Sequence, residues 1–380
     1  PEPATLDKIN TGSFDSDLSS IADCDWICEA IVEDVEIKRE LFSKVEAVRV
    51  SGSIVTTNTS GIPLRDICNG MPDGLRQDIA VTHFFNPVHI MKLVELIPGE
   101  DTRPEVIQAL ASFLGDTLGK GVVYAKDTVN FIGNRIGCMW MLAGLHLAED
   151  AIQNDGVDIE TVDALMSAPV GLPATGLYGL VDLIGLDVMY NVGRNLETNL
   201  PTDDVGRRFV RFTDNVQRLY DRGQLGRKTG GGFYKLTRND DGSKSMETFD
   251  LSADSWRPAR KIALPDNEQT LPGLFDSESA NGRFVRRIMT ETLCYSADLV
   301  PQIADDIVNV DRAMRWGFGW KKGPFELIDE LGAERVANAA EQLDLKRPNM
   351  LEKLLDAGES AFYRSNGTEY FGVDGQWHSV

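Results

Sequence analysis

The first third of the chain alternates strand-like and helix-like segments, and this alternation limits the fold more than any other feature. A continuous apolar run, Trp26 to Val32, is followed by Val35 to Val48, in which apolar residues recur at helical spacing. The β-branched segment Ile54 to Thr57 comes next, and residues 79–85 form another apolar run. Strands that alternate with helices indicate a parallel sheet with helices on both faces. We therefore predict an α/β sheet domain over residues 1–129.

The apolar periodicity becomes helical after this domain. Residues 131–152 can form one long helix with a wide apolar stripe, and we predict a helical domain over residues 130–237. Residues 238–281 are rich in Asp, Ser, Asn and Pro, which is typical of a linker or a long irregular connection. A second helical domain is predicted over residues 282–380. The predicted fold class is therefore α/β plus all-α.

An internal repeat connects the two helical domains. Residues 158–185 recur, with one deletion, as residues 306–332, so that Asp163 corresponds to Asp311. A solenoid needs shorter periods and more copies. The repeat therefore predicts two duplicated helical domains.

Composition excludes several classes of function. Hydrophobic residues make up 42% and charged residues 26% of the chain, which is ordinary for a globular protein. The net charge of -21 argues against nucleic acid or an anionic membrane as the main partner. The five cysteines are scattered and form no CxxC pair, which argues against a zinc site and favours reduced thiols in the cytoplasm. The most apolar stretch, Ile136 to Ala148, is too short to span a bilayer.

A dinucleotide-binding domain is typically marked by a GxGxxG run between its first strand and first helix. Residues 1–24 contain no such run, and the first residue is Pro1 instead of Met. We therefore expect a Rossmann-type domain that is incomplete here, in a chain that begins inside a longer gene product. Because the glycine turn normally supports the pyrophosphate, we also expect residues 1–380 alone to bind a dinucleotide weakly.

One histidine and one glutamate stand out in the sheet domain. His83 belongs to an apolar run that ends at Asn86, and Glu95 lies in a short strand predicted over Lys92 to Ile97. A chain reversal between them would bring Glu95 beside His83. A carboxylate that holds one nitrogen of a histidine makes the ring a candidate general base. The spacing alone leaves open a histidine with a purely structural role.

Six short motifs occur in a fixed order along the chain. They are ICEAIVEDVEIK (27–38), TNTS (57–60), HFFNP (83–87), MKLVE (91–95), FIGNR (131–135) and GRKTGGGFY (226–234). Together they resemble the 3-hydroxyacyl-CoA dehydrogenases, and HFFNP followed by MKLVE is the most specific part. The resemblance covers nearly the whole chain, because the repeated helical domain is similar to the tandem C-terminal domains of fatty-acid oxidation multienzymes.

The resemblance implies NAD-dependent oxidation of (S)-3-hydroxyacyl-CoA to 3-oxoacyl-CoA in fatty-acid β-oxidation. By position, His83 matches the catalytic base and Glu95 matches its carboxylate partner. Ser60 and Asn134 match the polar residues that hold the substrate oxygen at carbon 3. The residues that match contacts to the ribose and nicotinamide of NAD are Glu33, Lys38 and Asn86. The expected cofactor is NAD, and no metal is expected.

Other interpretations of these residues remain open from the sequence. Ser60 lies among turn-forming residues, and Asn134 could simply cap or bridge helices. Glu33 and Lys38 could form a solvated helix face. The chain also departs from the family pattern, since Val129-Asn130 replaces the usual Pro-Gly before FIGNR.

The resemblance also bears on assembly. Members of the family with one helical domain form two-fold dimers through it, so two tethered copies imply an internal pseudo-dimer. The expected partners are an acyl-CoA substrate and a multienzyme context. The alternative hypothesis is a non-catalytic fragment or scaffold part of such a multienzyme.

Overall fold

The computed structural model describes residues 6–238 and 242–380. The chain divides into two compact units, Pro1–Thr128 and Val129–Val380. Among its described residues, the first unit contains five strands and four α-helices. The strands are β1 (Trp26–Glu29), β2 (Ile54–Thr57), β3 (Ile79–Phe84), β4 (Leu93–Pro98) and β5 (Gly121–Tyr124). The helices are α1 (Val35–Val48), α2 (Leu64–Cys68), α3 (Asp73–Asp78) and α4 (Pro104–Ser112), and α4 continues as a π-helical turn over Phe113–Thr117.

The five strands form one sheet in the order β1–β2–β3–β4–β5. Strands β1, β2 and β3 run parallel, β4 runs antiparallel to β3, and β5 runs parallel to β4. Residues 85–92 are too few for the crossover that a parallel β4 would need, so the chain reverses. The predicted α/β sheet is confirmed, with β4 reversed.

Helix α1 illustrates how local sequence sets the elements of this unit. The Asp34 side chain accepts hydrogen bonds from the backbone N–H groups of Glu36 and Ile37, both at 3.0 Å, and so caps the helix. Phe42 and Val45, three residues apart on one face, are buried. A capped start and a narrow buried stripe hold α1 against the sheet with its polar face outward.

The second unit contains eleven α-helices among its described residues. They are α5 (Gly133–Asn154), α6 (Ile159–Leu165), α7 (Tyr178–Ile184), α8 (Leu186–Asn199), α9 (Asp214–Asp221), α10 (Leu271–Asp276), α11 (Ala280–Asp298), α12 (Ile307–Gly317), α13 (Pro324–Leu331), α14 (Ala333–Gln342) and α15 (Asn349–Asp356). Most residues of α5 are buried, as the wide apolar stripe predicted. The sheet domain followed by a helical domain is confirmed.

The segment predicted to be a linker, residues 238–281, contains regular structure in its described part, and the second unit has short strands besides its helices. Strands β6 (Tyr234–Arg238), β7 (Lys244–Asp250) and β8 (Ser255–Pro258) form an antiparallel sheet, and α10 follows. Residues 239–241 lie outside the described residues. The polar residues at the start of β7 are exposed, whereas Phe249 on the same strand is buried.

A second small sheet lies near the C-terminus. Strands β9 (Tyr363–Arg364), β10 (Glu369–Phe371) and β11 (Trp377–Ser379) pair antiparallel in the order β11–β10–β9. They are only two or three residues long, too short to show a clear alternation in the sequence. No helix within 6–238 or 242–380 combines the length and apolar character needed to cross a bilayer.

Equivalent aspartates occupy the same setting in the two halves of the second unit. Asp163 accepts hydrogen bonds from the N–H groups of Tyr178 and Gly179, at 2.6 and 3.0 Å, and from the Tyr234 hydroxyl at 2.8 Å. Asp311 accepts from the N–H groups of Phe325 and Glu326 and from the Tyr363 hydroxyl, at 2.8, 3.2 and 2.8 Å. Each aspartate therefore ties a helix to the start of the next helix and to a strand.

A second aspartate repeats the same pattern. Asp182 accepts from the N–H groups of Phe233 and Tyr234, at 2.8 and 2.7 Å. Asp329 accepts from the N–H groups of Phe362 and Tyr363, at 2.6 and 2.9 Å. The repeat seen in the sequence therefore extends to the hydrogen bonds that hold each half together.

These aspartates should make the stability of the second unit depend on pH. Burial raises the pKa of Asp163 to about 7 and the pKa values of Asp182 and Asp329 to about 6, and it raises the pKa of Asp311 well above its usual value. A carboxyl whose pKa is higher in the folded state binds its proton more tightly there. Its stabilising contribution is complete below about pH 4 and is lost as the pH rises through 6 to 7. We expect Tm to rise when the pH is lowered from 8 to 5, as calorimetry can measure.

The control for this prediction is Asp163→Asn, which cannot titrate and should show a smaller change in Tm across the same pH range. Titration of Glu160 does not change Tm between pH 8 and pH 5. Burial alone would raise the pKa of Glu160, but hydrogen bonds from Arg257 and other donors lower it to about 2, so its contribution is lost only below about pH 4.5. A Tm that falls steadily from pH 8 to pH 5 would contradict the prediction.

Candidate active site

Four of the polar residues predicted for the site in the first unit, Glu33, Ser60, His83 and Asn86, lie at or just beyond the carboxyl ends of the parallel strands. Glu33 follows β1, Ser60 follows β2, and His83 is the last residue but one of β3. Since β1, β2 and β3 are parallel neighbours, these ends lie along the same edge of the sheet. In open α/β sheets this edge is where ligands bind.

His83 and Glu95 form a buried pair at this edge. The two residues lie directly opposite each other in the antiparallel register of β3 and β4, so their side chains project from the same face. His83 Nδ1 lies 2.6 Å from Glu95 Oε2. His83 is 4% exposed and Glu95 is fully buried. The predicted chain reversal and contact are confirmed.

This contact defines which nitrogen of His83 carries a hydrogen. An ionised carboxylate can only accept hydrogen bonds, so Glu95 orients the ring with the hydrogen on Nδ1 and the lone pair on Nε2. The Phe85 ring lies against the imidazole, with centroids 4.6 Å apart. Together these contacts restrict the rotation of the ring and prepare Nε2 to accept a proton.

Glu33 organises the ends of β1 and β2. Its Oε1 atom accepts hydrogen bonds from the Thr59 hydroxyl at 2.6 Å and from the N–H groups of Ser60 and Gly61, both at 3.0 Å. Lys38 Nζ lies 3.4 Å from Oε2. Burial alone would raise the pKa of Glu33, but the Thr59 hydrogen bond, the Lys38 charge and the two N–H groups lower it. The structure therefore brings together Glu33, Ser60 and Lys38.

Glu29 is a site residue that the sequence analysis missed. Lys38, which is 1% exposed, donates to both carboxylate oxygens of Glu29, at 2.8 and 3.0 Å. The Thr57 hydroxyl donates to Oε2 at 2.6 Å. The alternative of a solvated helix face is therefore wrong for Lys38. The available signal was a carboxylate inside the apolar run Trp26 to Val32, since a buried charge needs a partner.

Asn58 was also missed, and it links two strand ends. Its Oδ1 atom accepts a hydrogen bond from the Phe84 N–H at 2.9 Å, which ties the loop after β2 to the end of β3. Asn86 follows on the exposed loop after β3, before a cis peptide bond to Pro87. Ser60 is likewise exposed. Both side chains therefore lie at the surface of the carboxyl edge.

Asn134 belongs to the second unit, in the first turn of α5, and is partly buried. Its predicted contact with substrate stays a prediction. The backbone just before it is unusual, since Asn130 and Phe131 have φ values of 60° and 50°. Asn tolerates this left-handed conformation better than most residues, which explains how Val129-Asn130 can replace a pair ending in glycine.

Sequence comparisons cover both units. Residues 2–128 match the profile described as "3-hydroxyacyl-CoA dehydrogenase, NAD binding domain". Residues 131–236 and 282–367 match "3-hydroxyacyl-CoA dehydrogenase, C-terminal domain". These descriptions identify NAD as the cofactor of the first unit.

Two curated relatives show how the chain relates to longer proteins. A "Probable 3-hydroxyacyl-CoA dehydrogenase" of Bacillus subtilis is 34% identical over 394 residues, covering 100% of this chain and 48% of the relative. A "Putative fatty acid oxidation complex trifunctional enzyme" of Rickettsia felis is 36% identical over 332 residues, covering 86% of this chain and 45% of the relative. The chain spans about half the length of the curated relatives it matches.

A solved structure agrees in fold. The crystal structure of 3-hydroxybutyryl-CoA dehydrogenase from Escherichia coli has a TM-score of 0.69 at 23% identity, covering 90% of this chain and 84% of that chain. This identity supports the fold alone. Taken with the two profile matches, the evidence shows that the chain belongs to the 3-hydroxyacyl-CoA dehydrogenase family.

Proposed function

We propose that the protein containing this chain oxidises (S)-3-hydroxyacyl-CoA to 3-oxoacyl-CoA with NAD, as a step of fatty-acid β-oxidation. The observation that carries the proposal is the buried His83–Glu95 pair, with Nδ1 and Oε2 2.6 Å apart, at the carboxyl edge of an NAD-binding sheet. A base held in one tautomer and shielded from water is what removal of a hydroxyl proton requires.

In the proposed reaction, Nε2 of His83 accepts the proton of the C3 hydroxyl, and the electrons of that O–H bond form the carbonyl. NAD supplies the acceptor for the hydride that leaves carbon 3. Glu95 stabilises the imidazolium that results, because its carboxylate already accepts the hydrogen on Nδ1. Ser60 and Asn134 would hold the C3 oxygen through neutral hydrogen bonds.

The residues at the carboxyl edge fit the ribose and nicotinamide half of NAD. A carboxylate with a lowered pKa, Glu33, can accept hydrogen bonds from ribose hydroxyls. The exposed amide of Asn86 can pair with the carboxamide group of nicotinamide. Lys38 has its ammonium group between Glu29 and Glu33, so we assign it the role of orienting Glu33.

We further propose that the two helical copies, residues 130–237 and 282–380, pack as an internal pseudo-dimer. Trp140 of the first copy lies edge-on to Trp320 of the second, with ring centroids 6.0 Å apart. A Cβ atom on Gly137 would lie 2.1 Å from the Phe318 ring, so glycine allows the close approach of the second copy. Each copy therefore covers part of the apolar surface of the other.

The wider context of the protein is also a proposal. The Rickettsia relative is named as part of a fatty-acid oxidation complex, and this supports a multienzyme context with an acyl-CoA substrate. A cytoplasmic location is our prediction from the cysteine pattern, and all five cysteines are free thiols.

Replacing Glu95 with glutamine tests the role of the pair. The amide can donate to Nδ1, which would place the ring hydrogen on Nε2 and disable the base. We expect kcat to fall at least about 10-fold, but by less than the ~10²- to 10⁴-fold loss typical when a general base is removed. The assay is NADH absorbance during acetoacetyl-CoA reduction by the natural protein, which is the reverse reaction, in which His83 returns the proton to the C3 oxygen.

The matched control is Glu105→Gln, an exposed carboxylate in the first turn of α4. This substitution removes the same negative charge as Glu95→Gln, but it should leave kcat unchanged. If Glu95→Gln retained full turnover, the proposed role of the pair would be wrong.

A further inference from the structure

The second unit contains a large cavity that the proposed reaction does not use. It has a volume of about 1040 Å³ and is bounded by α6, the start of α7, the loop before β6, strands β6 and β7, and residues 259–262. Small-molecule sites typically measure about 300 to 1,000 Å³, so the volume suits a ligand. All of its lining residues belong to the second unit, whereas His83 and Glu95 belong to the first.

One wall of the cavity is apolar. Leu236 on β6 and Met246 on β7 lie opposite each other in register, and they are 53% and 47% exposed. Ala164 and Ile262 extend the same lining. Large apolar side chains left this exposed inside a concave surface are typical of a site that an apolar ligand covers.

Three cationic residues line the same cavity: Arg227, Lys261 and Arg260, whose side chain pairs with Asp158. Arg227 and Lys261 are exposed, and neither side chain makes a hydrogen bond or ion pair with another residue of the described ranges. In a chain with a net charge of -21, two cations that make no hydrogen bond or ion pair within the described residues are available for an anion.

The carboxylates in the lining are already satisfied. Glu160 accepts two hydrogen bonds from the Arg257 guanidinium, at 2.6 and 2.7 Å, and others from Thr248 and the Arg260 N–H. Asp163 and Asp182 accept the backbone and tyrosine hydrogen bonds described above. The hydrogen bonds of these carboxylates therefore come from within the protein, and Arg227 acts on Asp182 through its charge without a hydrogen bond.

Part of the cavity wall lies outside the segments that match the family profile. Met246 and residues 259–262 lie between the two matched stretches 131–236 and 282–367. In addition, nine residues separate Gly223 from Phe233 in the first copy, whereas only three separate Gly358 from Phe362 in the second. The extra residues form the loop that carries Arg227. The longer loop with Arg227 therefore has no counterpart of equal length in the second copy.

We propose that this cavity binds a single-chain amphiphile with an anionic head group, a carboxylate or a phosphate. Arg227 and Lys261 hold the head group, and the chain lies along Leu236, Met246 and Ile262. Arginine suits either anion, because its guanidinium can donate two parallel hydrogen bonds.

Calorimetric titration with decanoate, decyl phosphate and neutral decanol tests the proposal. We expect saturable one-to-one binding of at least one anionic probe, at least about 10-fold tighter than decanol, and the tighter of the two anions identifies the head group. The double variant Arg227→Gln, Lys261→Gln should lose about 10-fold or more in affinity for that anion, as expected for charge-assisted hydrogen bonds. Its affinity for decanol should stay within about twofold.

Lys228→Gln is the matched control, because Lys228 lies on the same loop but pairs with Asp187 instead of lining the cavity. It should bind every probe like the unchanged protein. A second variant, Met246→Glu, places a negative charge on the apolar wall and should weaken anion binding even if the double variant folds poorly. His83→Gln should leave decanoate affinity unchanged. Absence of saturable anion binding, equal affinity for decanol, or an unchanged affinity in Met246→Glu would overturn the proposal.

Discussion

Replacing His83 with glutamine is expected to lower kcat by a factor of ~10² to 10⁴, the usual cost of losing a general base. The imidazole is the group that accepts the substrate proton in the proposed reaction, and glutamine cannot take up a proton at neutral pH. Glutamine is similar in size and can still donate a hydrogen bond to Glu95, whose carboxylate would otherwise be buried without its partner. KM should therefore change much less than kcat. NADH absorbance during acetoacetyl-CoA reduction by the natural protein measures both constants.

His89→Gln is the control for this prediction. His89 lies on the exposed loop between β3 and β4, close in sequence to His83 but outside the buried pair. Its replacement should leave kcat within about twofold of the unchanged protein. If the His83 variant kept more than about a third of the original turnover, His83 would not be the base.

Replacing Arg135 with methionine is expected to destabilise the second unit by ~3 to 5 kcal/mol, the typical cost of breaking a buried ion pair from one side. Arg135 is 1% exposed, pairs with Asp204, and donates from Nε to the Tyr295 hydroxyl at 2.6 Å. Methionine fills much of the same volume but leaves the Asp204 carboxylate buried without its charge partner. Urea denaturation followed by tryptophan fluorescence measures the change, since five of the six tryptophans lie in the second unit.

The control is Arg283→Met, which removes an ion pair with Asp155 that is about half exposed on the arginine side. Exposed pairs contribute ~0 to 1 kcal/mol, so this variant should be close to neutral. Both arginines join α5 to α11, because Arg135 in the first turn of α5 donates to Tyr295 of α11, and Arg283 of α11 pairs with Asp155, the residue after α5. If the two variants lost equal amounts of unfolding free energy, burial would not determine how much each ion pair contributes to stability.

One part of the candidate site, the pair of His83 and Glu95, could be predicted from the sequence. HFFNP and MKLVE contain both members of the buried His83–Glu95 pair, and the chain reversal predicted between the two strands brings them together. The partners of Lys38 were not predictable in this way. Lys38 on α1 donates to Glu29 on β1, nine positions away, and Thr57 on β2 donates to the same carboxylate from twenty-eight positions away.

The sequence by itself determined the order of the elements and the family. Apolar periodicity placed α1 and β2 at their observed bounds, because burial of one face or both leaves a regular pattern in the chain. Only the tertiary structure decided which strands the polar segment 238–281 forms. Its strands and the cavity wall at Met246 depend on pairing with β6, and a short strand of mixed composition has no periodicity strong enough to show this pairing in advance.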